Sequence, residues 1–204
     1  MLLDAKKPAW LVREARDLIC DICNSLKPGA EATVAPVSLR APPEQWQELA
    51  MDVGEFAFVA APHLCKIKFL LIIDKAGKLI TAPMLRQFGL KENFEPNTGH
   101  IIEAFSSRWL EDKPKPSTVV VDEGSALTSK AFTDFLSEIG ILLRATPGQA
   151  HWLHGVAEVH IKIIKRTMAK LTAEFPELSP ATILSLAVMG HNSGESVRVF
   201  SPFQ

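Results

Sequence analysis

The chain has 204 residues, of which 47% are hydrophobic and 22% charged. This composition is typical of a globular domain and excludes an intrinsically disordered chain. The formal net charge of -1 excludes a global basic field, so any contact with DNA must depend on locally placed lysine and arginine. The length allows one domain of about 150 residues plus an additional segment.

Cysteine usage and hydropathy indicate the compartment. Cys20, Cys23 and Cys65 are an odd number with one close pair, which does not make a disulfide framework and favours a reducing compartment. The start of the chain lacks the apolar stretch of a secretory signal. The most apolar run, Phe69–Ile73, is far shorter than the roughly 20 residues that span a bilayer. We therefore expect a soluble intracellular protein with no membrane partner.

The first part of the chain is predicted to be separate from a compact domain. Residues 9–24 predict a short helix that ends at Cys20 and Cys23, and residues 28–43 contain four prolines among small residues, which predicts an extended linker. A compact domain is expected to begin near Trp46. The predicted regions are a helical segment at 1–27, a linker at 28–45 and a domain at 46–204.

Apolar periodicity then predicts five strands and four helices. Asp74–Gly77 predicts a tight turn between the second and third strands. Asn97 or Thr98 is expected to cap the first helix, and Gly140 to end the second. The predicted strands are 49–58, 65–73, 78–85, 118–121 and 141–145, and the predicted helices are 99–109, 129–140, 155–174 and 180–189.

Three consecutive strands followed by alternating helices and strands predict an α/β fold with a mixed five-stranded sheet flanked by helices. In such sheets, functional sites gather at the carboxyl ends of strands. Asp122 directly follows the β-branched run at 118–121 and is therefore expected at such an end.

Two aspartates are candidate site residues. Asp52 lies among apolar neighbours in the first predicted strand. A carboxylate in a buried strand is costly unless it is paired or binds a metal, whereas at a sheet edge it would simply face water. Asp122 ends a strand and lies two residues before Gly124, so it could also form an ordinary turn. Taken alone, neither aspartate identifies a site.

Glu158 lies near the start of the long predicted helix, in a row with Lys162 and Lys165. One interpretation is a solvated helix face with a Glu–Lys pair at i,i+4. The other is that Glu158 binds a metal ion while both lysines contact the phosphates of DNA. Beside this row runs an apolar stripe formed by Ala157, Ile161, Ile164, Met168 and Leu171.

Carboxylates from the first strand, the fourth strand and a later helix could converge at one end of the sheet. Because three such groups repel one another, the cluster would need cations. Two Mg²⁺ or Mn²⁺ ions about 4 Å apart would neutralise it, activate an attacking hydroxyl and stabilise the leaving oxygen in phosphoryl transfer.

The spacing of these acids resembles the D,D-35-E pattern of retroviral and long-terminal-repeat retrotransposon integrases, whose catalytic core has an RNase H-like fold. Glu158 follows Asp122 with 35 residues between them. Asp122 follows Asp52 by 70 positions (122 − 52). Further segments similar to the family are Trp46–Asp52, Val121–Gly124, Leu127–Phe132, Gly140–Ile141, His151–Glu158 and Phe200–Gln204.

The resemblance implies a polynucleotidyl transferase that processes the 3′ ends of element DNA and joins them to target DNA, an assembly into a homo-oligomer, and a nuclear reaction. By the family's pattern, Asp52 would bind both metals while Asp122 and Glu158 each complete one site. The expected DNA contacts are Lys162, Lys165, His154 and Trp152, although Trp152 could instead anchor a loop. Otherwise the histidines at 151, 154 and 160 are interpreted as loop and helix-surface residues.

Departures from the pattern keep other functions open. Cys20 and Cys23 resemble the end of the family's His-His-Cys-Cys zinc module, but no histidine precedes them. Since a closed zinc site needs four ligands, zinc is not expected. His154 stands where the family usually has Asn, and Val159 where it often has Arg. The alternatives are a catalytically decayed or co-opted nucleic-acid-binding module and an RNase H-like nuclease that only hydrolyses.

Overall fold

The chain forms one mixed sheet in this computed structural model, which describes residues 44–122, 126–146 and 151–194. The strands are β1 (Glu48–Ala60), β2 (His63–Asp74), β3 (Ile80–Thr81), β4 (Met84–Gly89), β5 (Thr118–Asp122) and β6 (Leu142–Thr146). Their order across the sheet is β3-β2-β1-β5-β6, and β4 also pairs with β2. The first four strands pair antiparallel, whereas β5 and β6 run parallel to β1.

Helices cover both faces of this sheet. They are α1 (Thr98–Phe105), which a π-helical turn continues to Leu110, then α2 (Lys130–Glu138), α3 (His151–Glu174) and α4 (Pro180–Gly194). The predicted α/β class, with a mixed sheet flanked by helices, is confirmed. Within the described ranges, no helix is long and apolar enough to cross a membrane. The predicted segments at 1–27 and 28–45 fall almost entirely outside these ranges and stay predictions.

The predicted third strand, 78–85, is wrong in one respect: it is two short strands, β3 and β4. Pro83 lies between them, and it has no N–H to donate to a strand ladder. Its carbonyl still accepts a hydrogen bond from the Leu70 N–H at 3.0 Å. The chain therefore stays against β2 but restarts its pairing after the proline.

The helix ends follow the predicted capping signals. The Asn97 side chain accepts from the His100 N–H at 3.0 Å, so Asn97 and not Thr98 caps α1. Gly140 follows α2 with φ of 71°, a conformation that glycine adopts without steric cost. Two boundaries differ: α3 begins at His151, four residues before the predicted start, and α4 continues to Gly194.

Side-chain alternation along β1 divides the core between the two faces of the sheet. Ala50 and Phe58 lie in a buried cluster with side chains of α3 and α4. Leu49 and Met51 lie in a second cluster with side chains of α1 and α2. Even-numbered residues of β1 therefore face α3 and α4, and Asp52 belongs to that face.

Helix α4 is attached to the far edge of the sheet by a buried asparagine. The Asn192 amide accepts from the Ile80 N–H and donates to the Ile80 carbonyl, both at 2.9 Å. These two bonds satisfy the backbone of the short strand β3 in place of a further strand. The α3–α4 layer is thereby fixed on the face that carries Asp52.

Candidate active site

Asp52 and Asp122 lie at matching levels on neighbouring strands. The parallel ladder of β1 and β5 pairs Glu48 with Thr118 and Ala50 with Val120, an offset of 70 positions (118 − 48). Asp122 follows Asp52 by the same 70 positions. Each aspartate thus lies two residues beyond the last ladder pair, on strands that are about 4.8 Å apart where they are paired.

The start of this ladder is held by a cluster of backbone contacts. The Gln47 carbonyl accepts from the N–H groups of Ser117 and Thr118 at 3.0 Å each, and from the Ser117 hydroxyl at 2.9 Å. Beside it, the buried Glu48 carboxylate pairs with Lys75 and, at 3.3 Å, with Arg144 of β6. These contacts fix the register that sets Asp52 level with Asp122.

Both aspartates share one face of the sheet. Each has the same parity as the last ladder pair, Ala50 and Val120, and therefore lies on the side of α3. Both are partly exposed. β1 has β2 on one side and β5 on the other. Its ladder with β5 ends at Ala50, so the alternative of an edge position at Asp52 stays open.

Asp122 is the last residue of β5 and is paired with Thr146 of β6. The Thr146 hydroxyl is buried and donates to the Val121 carbonyl at 3.0 Å. This bond ties the ends of β5 and β6 together beside Asp122. The prediction that Asp122 ends a buried strand is confirmed, while residues 123–125, which would decide the turn alternative, lie outside the described residues.

Glu158 is carried by the helix that covers this face. α3 begins after β6, at the end of the sheet where Asp122 lies, and Glu158 follows within about two helical turns. Its neighbour Ala157 and Ile161 are buried in the same cluster as Ala50, which confirms the predicted apolar stripe. Glu158 itself is partly exposed on the flank of that stripe.

The lysines of α3 leave this flank positively charged. Lys162 is exposed and Lys165 partly exposed. Neither forms an ion pair with Glu158 in the structure, so the expected i,i+4 Glu–Lys pair is absent between these described residues. Both cations are therefore available to an external anion.

The strand ladder brings two of the three predicted acids together, and the third lies on the covering helix. Within the ranges that the structure describes, no group of three or more acidic, histidine or cysteine side chains is close enough to hold one ion. The donors still suit Mg²⁺, since two carboxylates at one level supply only oxygen ligands and both remain accessible from solvent.

His160 is buried, contrary to the prediction for this histidine. It is only 5% exposed, not a helix-surface residue, and its Nδ1 lies 2.6 Å from the Val156 carbonyl. Its ring packs edge-on against His191 of α4 with centroids 5.1 Å apart. The backbone of Trp152 and His154 belongs to α3, not to a loop, and their side chains lie outside the described part.

Sequence reasoning missed Gly54 and Phe69. They form a cross-strand pair on the face of Asp52, and a Cβ added at Gly54 would lie 2.3 Å from the Phe69 ring. A glycine inside a strand signals such a close approach, so the sequence itself indicates Gly54.

Cys65 is the cysteine among the described residues, and its surroundings disfavour reactivity. Cys65 is buried among the side chains that pack against α3 and α4, and burial raises the pKa of its thiol. The thiolate, which is the nucleophilic form, is therefore disfavoured.

Comparison with known proteins identifies the fold. No family model and no curated protein matches the chain. Among solved structures, the HTLV-2 integrase catalytic core domain in complex with magnesium, in its dimeric form, is similar with a TM-score of 0.58 and 16% identity over 78% of this chain and 93% of that one. The catalytic core domain of BIV integrase has a TM-score of 0.58 and 14% identity, covering 78% and 91%.

A larger assembly shows the same likeness. A chain of the simian T-cell lymphotropic virus intasome, in complex with PP2A regulatory subunit B56 gamma, has a TM-score of 0.64 at 16% identity, and the match covers 91% of this chain and 62% of that one. The chain thus has the fold of retroviral integrase catalytic cores, and the predicted RNase H-like architecture is confirmed. Identities this low show the fold alone.

Proposed function

We propose that this chain is the catalytic core of a DNA integrase, a divalent-metal-dependent polynucleotidyl transferase that processes the 3′ ends of element DNA and joins them to target DNA. The observation that carries the proposal is the shared level and shared face of Asp52 and Asp122. The pair lies in a fold similar to that of integrase cores. One of those similar structures, the HTLV-2 core, is a complex with magnesium, which is a precedent for the cation.

In this proposal Asp52, Asp122 and Glu158 hold two Mg²⁺ or Mn²⁺ ions. When bound, the ions lower the pKa of an attacking hydroxyl and stabilise the oxygen that leaves phosphorus. By the pattern of the integrases, Asp52 would contribute to both metal sites, while Asp122 and Glu158 would each complete one.

Side chains of α3 bind and orient the DNA. Lys162 and Lys165 lie one and two turns after Glu158 on a flank without ion pairs to it, so they can contact phosphates near the reacting bond. Trp152 and His154 of the first turn are proposed as further contacts, Trp152 by stacking on a base.

The partners follow from the same proposal. Element ends and target DNA are the substrates, and the reaction takes place in the nucleus. The neighbours include a dimeric core and an intasome chain, and we propose that this chain also acts as a homo-oligomer. No membrane partner is proposed.

The experiment is the reverse of strand transfer, scored as release of the element end and rejoining of the target strand on a branched DNA with Mn²⁺ or Mg²⁺. Wild type is expected to give both products, and chelation of the metal should remove them. This step is chosen because it needs one phosphodiester exchange at one site and no paired DNA ends.

Two outcomes would overturn the proposal in different ways. Cleavage without rejoining would identify a nuclease that only hydrolyses. Binding of the branched DNA by folded protein, without any product, would identify a decayed or co-opted binding module. Folding is checked by circular dichroism on the same sample.

The two lysines of α3 lead to a separate prediction about the salt dependence of DNA binding. The double variant Lys162→Ala, Lys165→Ala is expected to lower the slope of log affinity for DNA against log salt by about 1 to 2, since each lost phosphate contact removes about 0.9. The measurement is fluorescence anisotropy between low and physiological salt. Lys91→Ala, which removes an exposed lysine after β4, is the control, and an equal change in that variant would contradict the assignment.

A further inference from the structure

We infer that Phe69 is a positioning residue for Asp52. Because Gly54 has no side chain, the Phe69 ring can pack against β1 close to that aspartate. This inference deepens the proposed function, because it concerns the aspartate assigned to both metal ions. It rests on the packing of β1 against β2 around Asp52.

The aromatic ring of Phe69 lies directly on the backbone of β1. Gly54 and Phe69 are opposite each other in the β1–β2 ladder. A Cβ built at Gly54 would meet three ring carbons of Phe69 at 2.3, 2.6 and 2.9 Å. Phe69 is fully buried in the cluster under α3 and α4, so displacing the ring from Gly54 would disturb the side chains packed around it.

This ring closes one side of the space around Asp52. Gly54 follows Asp52 by two residues and lies on the same face, so the ring above Gly54 is the neighbour of Asp52 along the strand. On the other side along the strand lies Ala50, which is buried. Across the ladder, Asp52 is paired with the buried Leu71.

Three of the four neighbouring positions on this face are therefore apolar and close-packed. The fourth is on β5, where Asp122 lies at the same level. A carboxylate gains hydration or ligands only where its surroundings are open or polar. The packing therefore disfavours rotamers that turn the Asp52 carboxylate toward β2 or along β1. The Phe69 ring contributes to this because residue 54 is a glycine, which leaves room for the ring.

A hydrogen bond within β1 depends on the orientation of the Asp52 carboxylate. The Val53 N–H donates to Asp52 Oδ1 at 2.7 Å. If the ring were pushed off Gly54 or removed, the Asp52 side chain would gain another rotamer, and this N–H would change its partner. The amide signal of Val53 is therefore a local readout that needs no metal.

The test is a double-mutant cycle with Gly54→Ala, Phe69→Leu and the combined variant. Gly54→Ala adds a methyl group roughly where Phe69→Leu removes ring atoms, so the combined variant should restore the packing beside Asp52. Phe58→Leu is the matched control, since Phe58 is a buried phenylalanine of the same cluster, on β1 but six residues from Asp52. Unfolding in urea, the Val53 amide shift and Mn²⁺ affinity by calorimetry are measured for every variant.

Each single variant is expected to lose about tenfold or more in Mn²⁺ affinity, as is usual when the support of a metal ligand is removed. The combined variant should recover most of that loss and return the Val53 signal toward its wild-type position. Phe58→Leu should lower the urea midpoint but leave both the Mn²⁺ affinity and the Val53 signal unchanged.

The inference is overturned if Phe58→Leu loses as much Mn²⁺ affinity as Phe69→Leu, or if the combined variant recovers nothing. A wild type that binds no Mn²⁺ would instead contradict the proposed function. In that case the Val53 signal alone decides: a shift in the single variants that reverses in the combined one supports the positioning role, and an unchanged signal overturns it.

Discussion

The Asp122→Asn variant is expected to lose at least about 10³-fold in the rate of metal-dependent joining on branched DNA, which corresponds to about 4 kcal/mol of transition-state stabilisation. Asn keeps the size of the side chain and one oxygen but removes the negative charge that a divalent ion requires. Since Asp122 is the partly exposed end of β5, the substitution should leave the sheet intact. The measurement is the initial rate at saturating Mn²⁺.

Asp134→Asn is the matched control for this charge change. Asp134 is exposed on α2 and forms an ion pair with Lys130 at 2.7 Å. This surface pair contributes little to stability, so the variant should join DNA at the wild-type rate. An Asp122→Asn protein that retains a tenth of the wild-type rate would contradict the role assigned to Asp122.

The second large effect concerns folding, and it is expected at Asp74. This carboxylate is fully buried and accepts from the N–H groups of Gly77 at 2.7 Å, Trp46 at 3.1 Å and Ala76 at 3.4 Å. It holds the turn after β2 and joins that turn to the segment before β1. Asp74→Ala would leave three partly buried N–H groups without this acceptor, so the free energy of unfolding should fall by about 3 kcal/mol.

Urea unfolding of the isolated chain measures this loss. Asp112→Ala is the comparison, because Asp112 pairs only with the adjacent Lys113 on the surface and its side chain is 68% exposed. That change should cost less than about 0.5 kcal/mol. Similar losses in the two variants would show that the three backbone bonds of Asp74 do not stabilise the turn.

Much of the fold could be predicted because its signals are local. The strand that ends at Asp122 is a continuous β-branched run, which only a buried strand explains well. The stripe of α3 repeats at helical spacing, and Gly140 ends α2 where a positive φ is required. Each of these signals is contained within about 20 residues of sequence.

The features that could not be predicted depend on contacts between distant segments. The burial of His160 follows from the way α4 packs beside α3, and no pattern within α3 specifies that neighbour. Gly54 itself signals a close approach, but the identity of its partner, Phe69, depends on the register of β1 against β2. The division of the third strand is an exception, because Pro83 indicates it in the sequence itself.

The candidate site also depends partly on local sequence and partly on contacts between distant segments. The 70-position spacing of Asp52 and Asp122 is present in the sequence, but its meaning depends on the parallel pairing of β1 and β5 with that same offset. The position of Glu158 on the covering helix could be predicted from its spacing to the apolar stripe. How near it comes to the aspartates depends on the tilt of α3, which local sequence does not determine.

Anomalous diffraction from crystals of the wild-type chain grown with Mn²⁺ would locate the metal site. We expect anomalous density between the carboxylates of Asp52 and Asp122, at the end of β1 and β5 that α3 covers, with oxygen ligands about 2.1 Å from the ion. Mn²⁺ found only elsewhere on the surface, with both aspartates bound to protein groups alone, would contradict this expectation.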